Sequence, residues 1–239
     1  MRLSQTLSAA AAAAMFGLLG SATFANEPTK KAPANPVGAG WGKTTITTNN
    51  GTTGGTFTPE QMAAVNRVSG YFNNLQTLAG RFVQTDPDGT KSRGKFYVKR
   101  PGMFRFEYGR PSVKVVVSDG RFLAIEDRDA GTEETYEVSD TPFRMLLRAD
   151  VNLVRDAIVL QVEETDSQIS LVLRDKDPDI GAAIKVVMTT KPELVLRGWI
   201  TRDAQGLETT VEATDVVHGK DVDPKLFQRE KLFLKSVQQ

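Results

Sequence analysis

The sequence predicts a mainly β (α+β) fold, an unclosed antiparallel half-barrel of about 11 strands with a helical lid over an apolar cavity. Three observations lead there. From Arg81 almost to the C-terminus, short segments of period-two alternation follow one another, so most strands have one apolar and one wet face. Turn sequences such as Asp86-Pro87-Asp88-Gly89, Asp119-Gly120 and Asp203-Ala204-Gln205-Gly206 join them, which makes neighbours antiparallel. A sheet of that size curls, and one long amphipathic helix with two short ones is all there is to cover its apolar side. A cavity under those helices is the expectation. A core filled by side chains is the alternative.

In chain order, Met1-Arg2, the alanine-rich run Ala9–Gly20 and the small residues up to Ala25 read as a secretory signal peptide, residues 1–25, cleaved after Ala25. The run is too short to span a membrane. An exported, soluble mature chain is expected, and with Cys 0 the chain has neither disulfides nor a cysteine to carry a lipid. The whole chain carries 30 basic and 29 acidic side chains, and Arg2 leaves with the signal peptide. That balance argues against a nucleic-acid partner, which needs a strongly basic face. Residues 26–57, rich in Pro, Gly, Thr and Asn, read as a disordered low-complexity linker with too few bulky apolar residues to offset ordering entropy. Gly38–Gly42 within it is no nucleotide loop, since no strand precedes it. Residues 58–239 are left as a single domain.

Thr58-Pro59-Glu60-Gln61 opens a helix with a capping box, and Met62, Val65, Val68, Phe72 and Leu75 form its apolar stripe, with the end expected at Ala79-Gly80. Strands are expected at Arg81–Thr85, in a hairpin over Gly94–Tyr108, and at Val113–Ser118, Phe122–Ile125 and Glu134–Val138. Thr141 is expected to cap a short apolar helix through Leu147, and a second helical turn to follow over Val151–Asp156. Four further alternating sets follow: Ile158, Leu160 and Val162; Ile169, Leu171 and Leu173; Ile184, Val186 and Met188; Leu194, Leu196 and Ile200. Leu207–Val216 is the last long strand, Asp223 caps a helical turn, and Glu230–Lys235 is a candidate final strand.

The hairpin organises the rest. Gly94, Phe96 and Val98 share one face of its first strand, and Phe104, Phe106 and Tyr108 one face of its second. Parity then puts Arg100 on the side of Phe96 and Val98. A guanidinium there stays charged and needs acceptors, which makes Arg100 a candidate latch. A turn arginine reaching for water is the alternative. The aromatic residues either line a cavity or fill a core.

Catalytic groups are scarce. The single histidine, His218, beside Gly219, has no cysteine, nucleophile elbow or second histidine with which to build a site, and it reads as surface structure. Asp86-Pro87-Asp88-Gly89 lacks calcium-loop spacing, and Asp175-Lys176-Asp177-Pro178-Asp179 reads as a charged loop. No enzyme activity, metal or cofactor is expected.

Val98-Lys99-Arg100-Pro101 followed by Phe104 and Phe106, then Val117-Ser118-Asp119-Gly120, then Thr141-Pro142-Phe143, with Phe82-Val83-Gln84 upstream, resembles the periplasmic outer-membrane lipoprotein carrier family (LolA). The resemblance covers roughly residue 60 to the end. It implies a periplasmic carrier that takes acylated lipoprotein cargo from an inner-membrane ABC-type lipoprotein-releasing complex, shields its acyl chains and delivers it to an outer-membrane acceptor, either a receptor lipoprotein or the membrane itself. It also implies that Arg100 is the lid latch. The cavity lining or mouth is then expected at Phe96, Val98, Phe104, Phe106, Tyr108, Phe143 and Leu146, in a monomer. A lipid-binding sensor or regulatory module on the same half-barrel is the alternative. The chain departs from the family pattern at Gly102, where Asn is common, at Phe106, where Trp is common, and after Phe227, where a Pro-Pro pair is absent.

Overall fold

The computed structural model describes residues 57–229. The signal peptide, the linker up to residue 56 and the candidate strand over Glu230–Lys235 lie outside the described residues. Phe57, assigned to the linker by composition, packs against the core.

Helix α1 spans Pro59–Asn74. Thr58 Oγ1 accepts from the Gln61 N–H at 3.3 Å, and Gln61 Oε1 accepts from the Thr58 N–H at 2.9 Å. Two orphan donors at the helix start are thereby satisfied. Ala64, Val65, Val68 and Phe72 are buried, so the apolar stripe faces the core. The helix stops at Asn74, well before Ala79-Gly80. Asn73 and Asn74 are weak helix formers, and the backbone from Thr77 onward has two strands to pair with.

The strands are β1 (Thr77–Thr85), β2 (Lys91–Lys99), β3 (Met103–Tyr108), β4 (Lys114–Asp119), β5 (Phe122–Asp127), β6 (Thr132–Glu137), β7 (Ala157–Glu164), β8 (Gln168–Asp175), β9 (Ala183–Thr189), β10 (Val195–Arg202) and β11 (Glu208–His218). They form one 11-stranded sheet in the order β6-β5-β4-β3-β2-β1-β11-β10-β9-β8-β7, antiparallel throughout. Edge strands β6 and β7 do not pair, so the barrel stays open. The chain must cross from one edge to the other. Short helices α2 (Arg144–Leu147) and α3 (Leu153–Asp156) form in that crossing. They contact α1 and each other, so the three helices act as one cover.

Two bulges change which side chains face inward. In β7 the register shifts between Val159 and Gln161, so Leu160 is the extra residue and is 41% exposed, while Val162 stays in the core. In β10 it shifts between Leu196 and Gly198. Trp199 therefore joins Leu196 in the main core, and Ile200 packs on the opposite face with Val172 and Val187. Strict alternation puts Leu160 and Ile200 inward; an inserted residue reverses parity beyond it. Thr141 also differs from expectation. Its hydroxyl donates to the Val138 carbonyl at 2.8 Å, closing the preceding 3₁₀ turn rather than capping α2.

The C-terminal segment docks on the outside of the sheet. The 3₁₀ turn Pro224–Phe227, capped by Asp223, packs against β3 and β4, and Arg105 Nη1 donates to the Leu226 carbonyl at 3.2 Å. Phe227 is buried there without a Pro-Pro pair behind it.

Candidate functional site

Beneath the helices lies a cavity of about 60 Å³. Val98 of β2, Phe104 and Phe106 of β3, Ile184 and Val186 of β9, and Leu196 and Trp199 of β10 form the barrel side. Phe72 of α1 and Phe143, Leu146 and Leu147 of the α2 region form the roof, and Leu75 and Leu78 close the end. Every lining residue is apolar. The space holds about two waters, far less than the ~300–1,000 Å³ of a typical ligand site. At about 24 cal/mol per Å³ such a void costs only about 1.4 kcal/mol. The described conformation is therefore closed, and a ligand of ordinary size enters only if the cover moves.

Phe106 sits at the centre, with ring centroids 5.3 Å from Phe82, 5.8 Å from Phe96, 6.0 Å from Phe104 and 5.8 Å from Trp199. Phe143 reaches down from the cover to Phe104 at 6.1 Å and Trp199 at 6.2 Å. Val98, Phe104, Phe106, Phe143 and Leu146 thus meet around the cavity. Phe96 and Tyr108 do not border it. Phe96 lies one layer back, stacked on Phe106 and against Gly80. The Tyr108 hydroxyl donates to Gln84 Oε1 at 2.7 Å, and Gln84 Nε2 donates to Asp86 Oδ1 at 2.6 Å. Burial pushes the Tyr108 phenol well above its ordinary value. Trp199 was hidden from sequence reading by the β10 bulge.

Polar contacts fasten the cover at both ends of α2. At its C-terminal end the β2–β3 turn takes both exposed carbonyls. Arg100 Nη2 donates to the Arg148 carbonyl and, at 3.5 Å, to Asn73 Oδ1. The Gly102 N–H donates to the Leu147 carbonyl at 2.9 Å. These carbonyls have no helical partner of their own. Gly102 has φ +68°, and a Cβ there would meet the Gly120 carbonyl oxygen at 2.8 Å, which accounts for glycine at this position. Arg100 is not fully satisfied, because its Nε is buried with no hydrogen-bond partner. Burial also draws its pKa down from the ordinary arginine value, opposed by Asp150.

At the other end Arg144 grips the barrel. Its Nε donates to Asp175 Oδ2 at 2.8 Å and its Nη2 to Asp175 Oδ1 at 2.6 Å, while Nη1 donates to the Ser139 carbonyl at 3.0 Å. The Asp175 side chain is 2% exposed and also accepts from the Asp177 N–H at 2.8 Å. The hydrogen bonds to Asp175 raise the Arg144 pKa. This fork-to-fork pair is geometrically specific, and sequence reading missed it. A lone arginine inside the apolar stretch Phe143–Leu147, with the acidic loop Asp175–Asp179 elsewhere, was the available signal. Asp175 is thus the cover's anchor, and among the described residues no group of acidic or histidine side chains could hold a metal.

Asn73 ties α1 to the same cover. Its Nδ2 donates to the Val151 carbonyl and its Oδ1 accepts from the Val151 N–H, both at 2.8 Å, and Ser69 Oγ accepts from the Leu153 N–H at 3.2 Å. For an exposed side chain Asn73 should matter unusually. We expect Asn73→Ala to cost about 1–3 kcal/mol, read in thermal unfolding as a fall of roughly 3–10 °C. His218 stands apart from the cavity, with Nε2 2.8 Å from the Tyr71 hydroxyl.

A lidded half-barrel with an apolar interior is the class this geometry defines. Residues 73–230, well over half of the chain, match the family model described as outer membrane lipoprotein carrier protein LolA, and the chain belongs to that family. An outer-membrane lipoprotein carrier protein from Pseudomonas paraeruginosa is 29% identical over 129 residues, covering 50% of this chain and 62% of that protein's length. One from Pseudomonas syringae pv. tomato is 24% identical over 162 residues, covering 64% and 74%. A LolA-superfamily crystal structure from Nitrosomonas europaea is 13% identical with a TM-score of 0.40, covering 69% of this chain and 97% of that one. The Mycobacterium tuberculosis lipoprotein LppX is 10% identical with a TM-score of 0.38, covering 70% and 100%. No helix among the described residues is long and apolar enough to cross a membrane.

Proposed function

We propose that the protein is a periplasmic carrier. It takes acylated lipoproteins from an inner-membrane ABC-type releasing complex, shields their acyl chains and passes them to an outer-membrane acceptor, a receptor lipoprotein or the membrane itself. The supporting observation is an apolar cavity roofed by a cover that polar contacts hold shut at two ends of unequal strength. Burying acyl chains contributes about 0.8 kcal/mol per methylene, enough to make unloading slow if nothing opposes it. Closing the empty cover opposes it and lowers the apparent affinity by its own free energy. In this reading Arg144–Asp175 is the hinge end of α2. The under-satisfied Arg100, with Gly102, is the end that lets go. The test is to purify the exported protein and identify by mass spectrometry what comes with it. Triacylated proteins are expected. Free lipid alone would favour a lipid-binding sensor, and an empty protein would count against any ligand.

A further inference from the structure

We propose that the open groove of mixed polarity beside the cavity holds the junction of the cargo at which the acyl esters and amide meet the peptide. The acyl chains, admitted under the released end of α2, leave the cavity beside Leu75 to reach it. This rests on the carrier reading above.

The groove lies between the second half of α1, the residues leading into β10 and the end of β11, with a volume of about 690 Å³. That is within the range of about 300–1,000 Å³ common for ligand sites. Leu75 borders both groove and cavity. It caps α1 with extended backbone (φ −74°, ψ 115°), where helix changes to strand. Leu75 lies in the short connection between α1 and β1. An acylated peptide is amphiphilic, and its ester and amide carbonyls need donors where the chain leaves apolar surroundings.

The groove has such donors next to Leu75. The Tyr71 hydroxyl lies 2.8 Å from His218 Nε2 and accepts from the Leu196 N–H at 3.4 Å. Burial pushes the Tyr71 phenol up to about 12. The side-chain amides of Asn74 and Gln76, which also line the groove beside Leu75, carry N–H groups for a carbonyl there. The Leu196 side chain meanwhile lines the cavity. The latch is at the same end, since the Arg100 N–H donates to the carbonyl of the groove residue Gln76 at 2.9 Å. Releasing the β2–β3 turn therefore loosens the segment that holds Leu75.

Gly70 lines the groove on α1, and a Cβ built there meets nothing within 4 Å. Gly70→Trp places a bulky ring at the groove, and its Cβ is accommodated without a clash. Binding of a synthetic triacylated lipopeptide and of palmitate is measured by displacement of a fluorescent probe, with thermal melting as the check on folding. We expect lipopeptide affinity to fall about tenfold or more, the equivalent of at least one lost hydrogen bond, and palmitate affinity to be unchanged. Unchanged affinity for both overturns the groove assignment and leaves the carrier reading standing. Loss of both at an unchanged melting temperature also overturns it, because the groove would then act on the cavity as a whole. Failure of the wild-type protein to bind either probe sinks the carrier reading, and the groove with it.

Discussion

Arg100→Leu should load cargo as well as the wild-type protein, or better, and fail to unload it. In the closed state its guanidinium donates to the Arg148 carbonyl and, at 3.5 Å, to Asn73 Oδ1. A hydrogen bond from a charged donor contributes about 1.5–3 kcal/mol, or roughly a tenfold to hundredfold bias toward closing. The buried, partnerless Nε keeps the net value near the lower end. Leucine removes the bias and puts an apolar side chain at the rim, so the open, loaded form gains relative to the closed, empty one. Stability should fall by no more than that bias, about 1.5 kcal/mol, since Gly102 still holds Leu147 and the hinge is intact. Lysine should restore unloading only partly, because a point charge cannot match the guanidinium fork. Rates of cargo release into acceptor vesicles, measured for the three proteins, check this. Wild-type release by Arg100→Leu would reduce Arg100 to a turn residue.

Arg144→Leu should do the reverse, with a large loss of stability and no selective block in unloading. Removing one partner of a buried pair leaves the other uncompensated and costs about 3–5 kcal/mol. Arg144 is 33% exposed, so the lower part of that range applies. Asp175, at 2% exposure, would keep only the Asp177 N–H. A cost of about 3 kcal/mol predicts a melting temperature lower by roughly 6–12 °C. Loss of the hinge should also leave α2 and the Phe143 ring poorly ordered, seen as faster amide exchange in residues 143–148. Asp175→Asn, which keeps the shape but loses the charge, should cost less. A melting temperature unchanged in Arg144→Leu would contradict the anchor role.

Much of this architecture is legible in the sequence because the physics is local. Thr58 and Gln61 advertise the start of α1, alternation marks the strands, and Asp-Gly or Pro-Gly pairs mark their turns. The position of Arg100 follows from parity alone. What stayed hidden is non-local. The β7 bulge inserts a residue without any sequence mark and the β10 bulge is marked only by Gly198 inside the strand, so Leu160 and Ile200 read as inward and Trp199 was passed over. The end of α1 was set by the pairing of Leu78 and its neighbours with two distant strands, not by its own stripe. The Arg144–Asp175 pair joins residues that only the edge-to-edge crossing brings together. Phe96 and Tyr108 share the face of Phe106, but facing the interior does not decide which side chains border a void of about 60 Å³.

The most direct measurement starts from the purified mature protein carrying one labelled triacylated lipoprotein. Outer-membrane vesicles are added, and the partition of the label is followed over time. A carrier that closes on an empty cavity should hold the lipoprotein in solution, then pass it to the vesicles and return to its ligand-free form. A label that stays on the protein with vesicles in excess, or that the protein never keeps in solution, would contradict it.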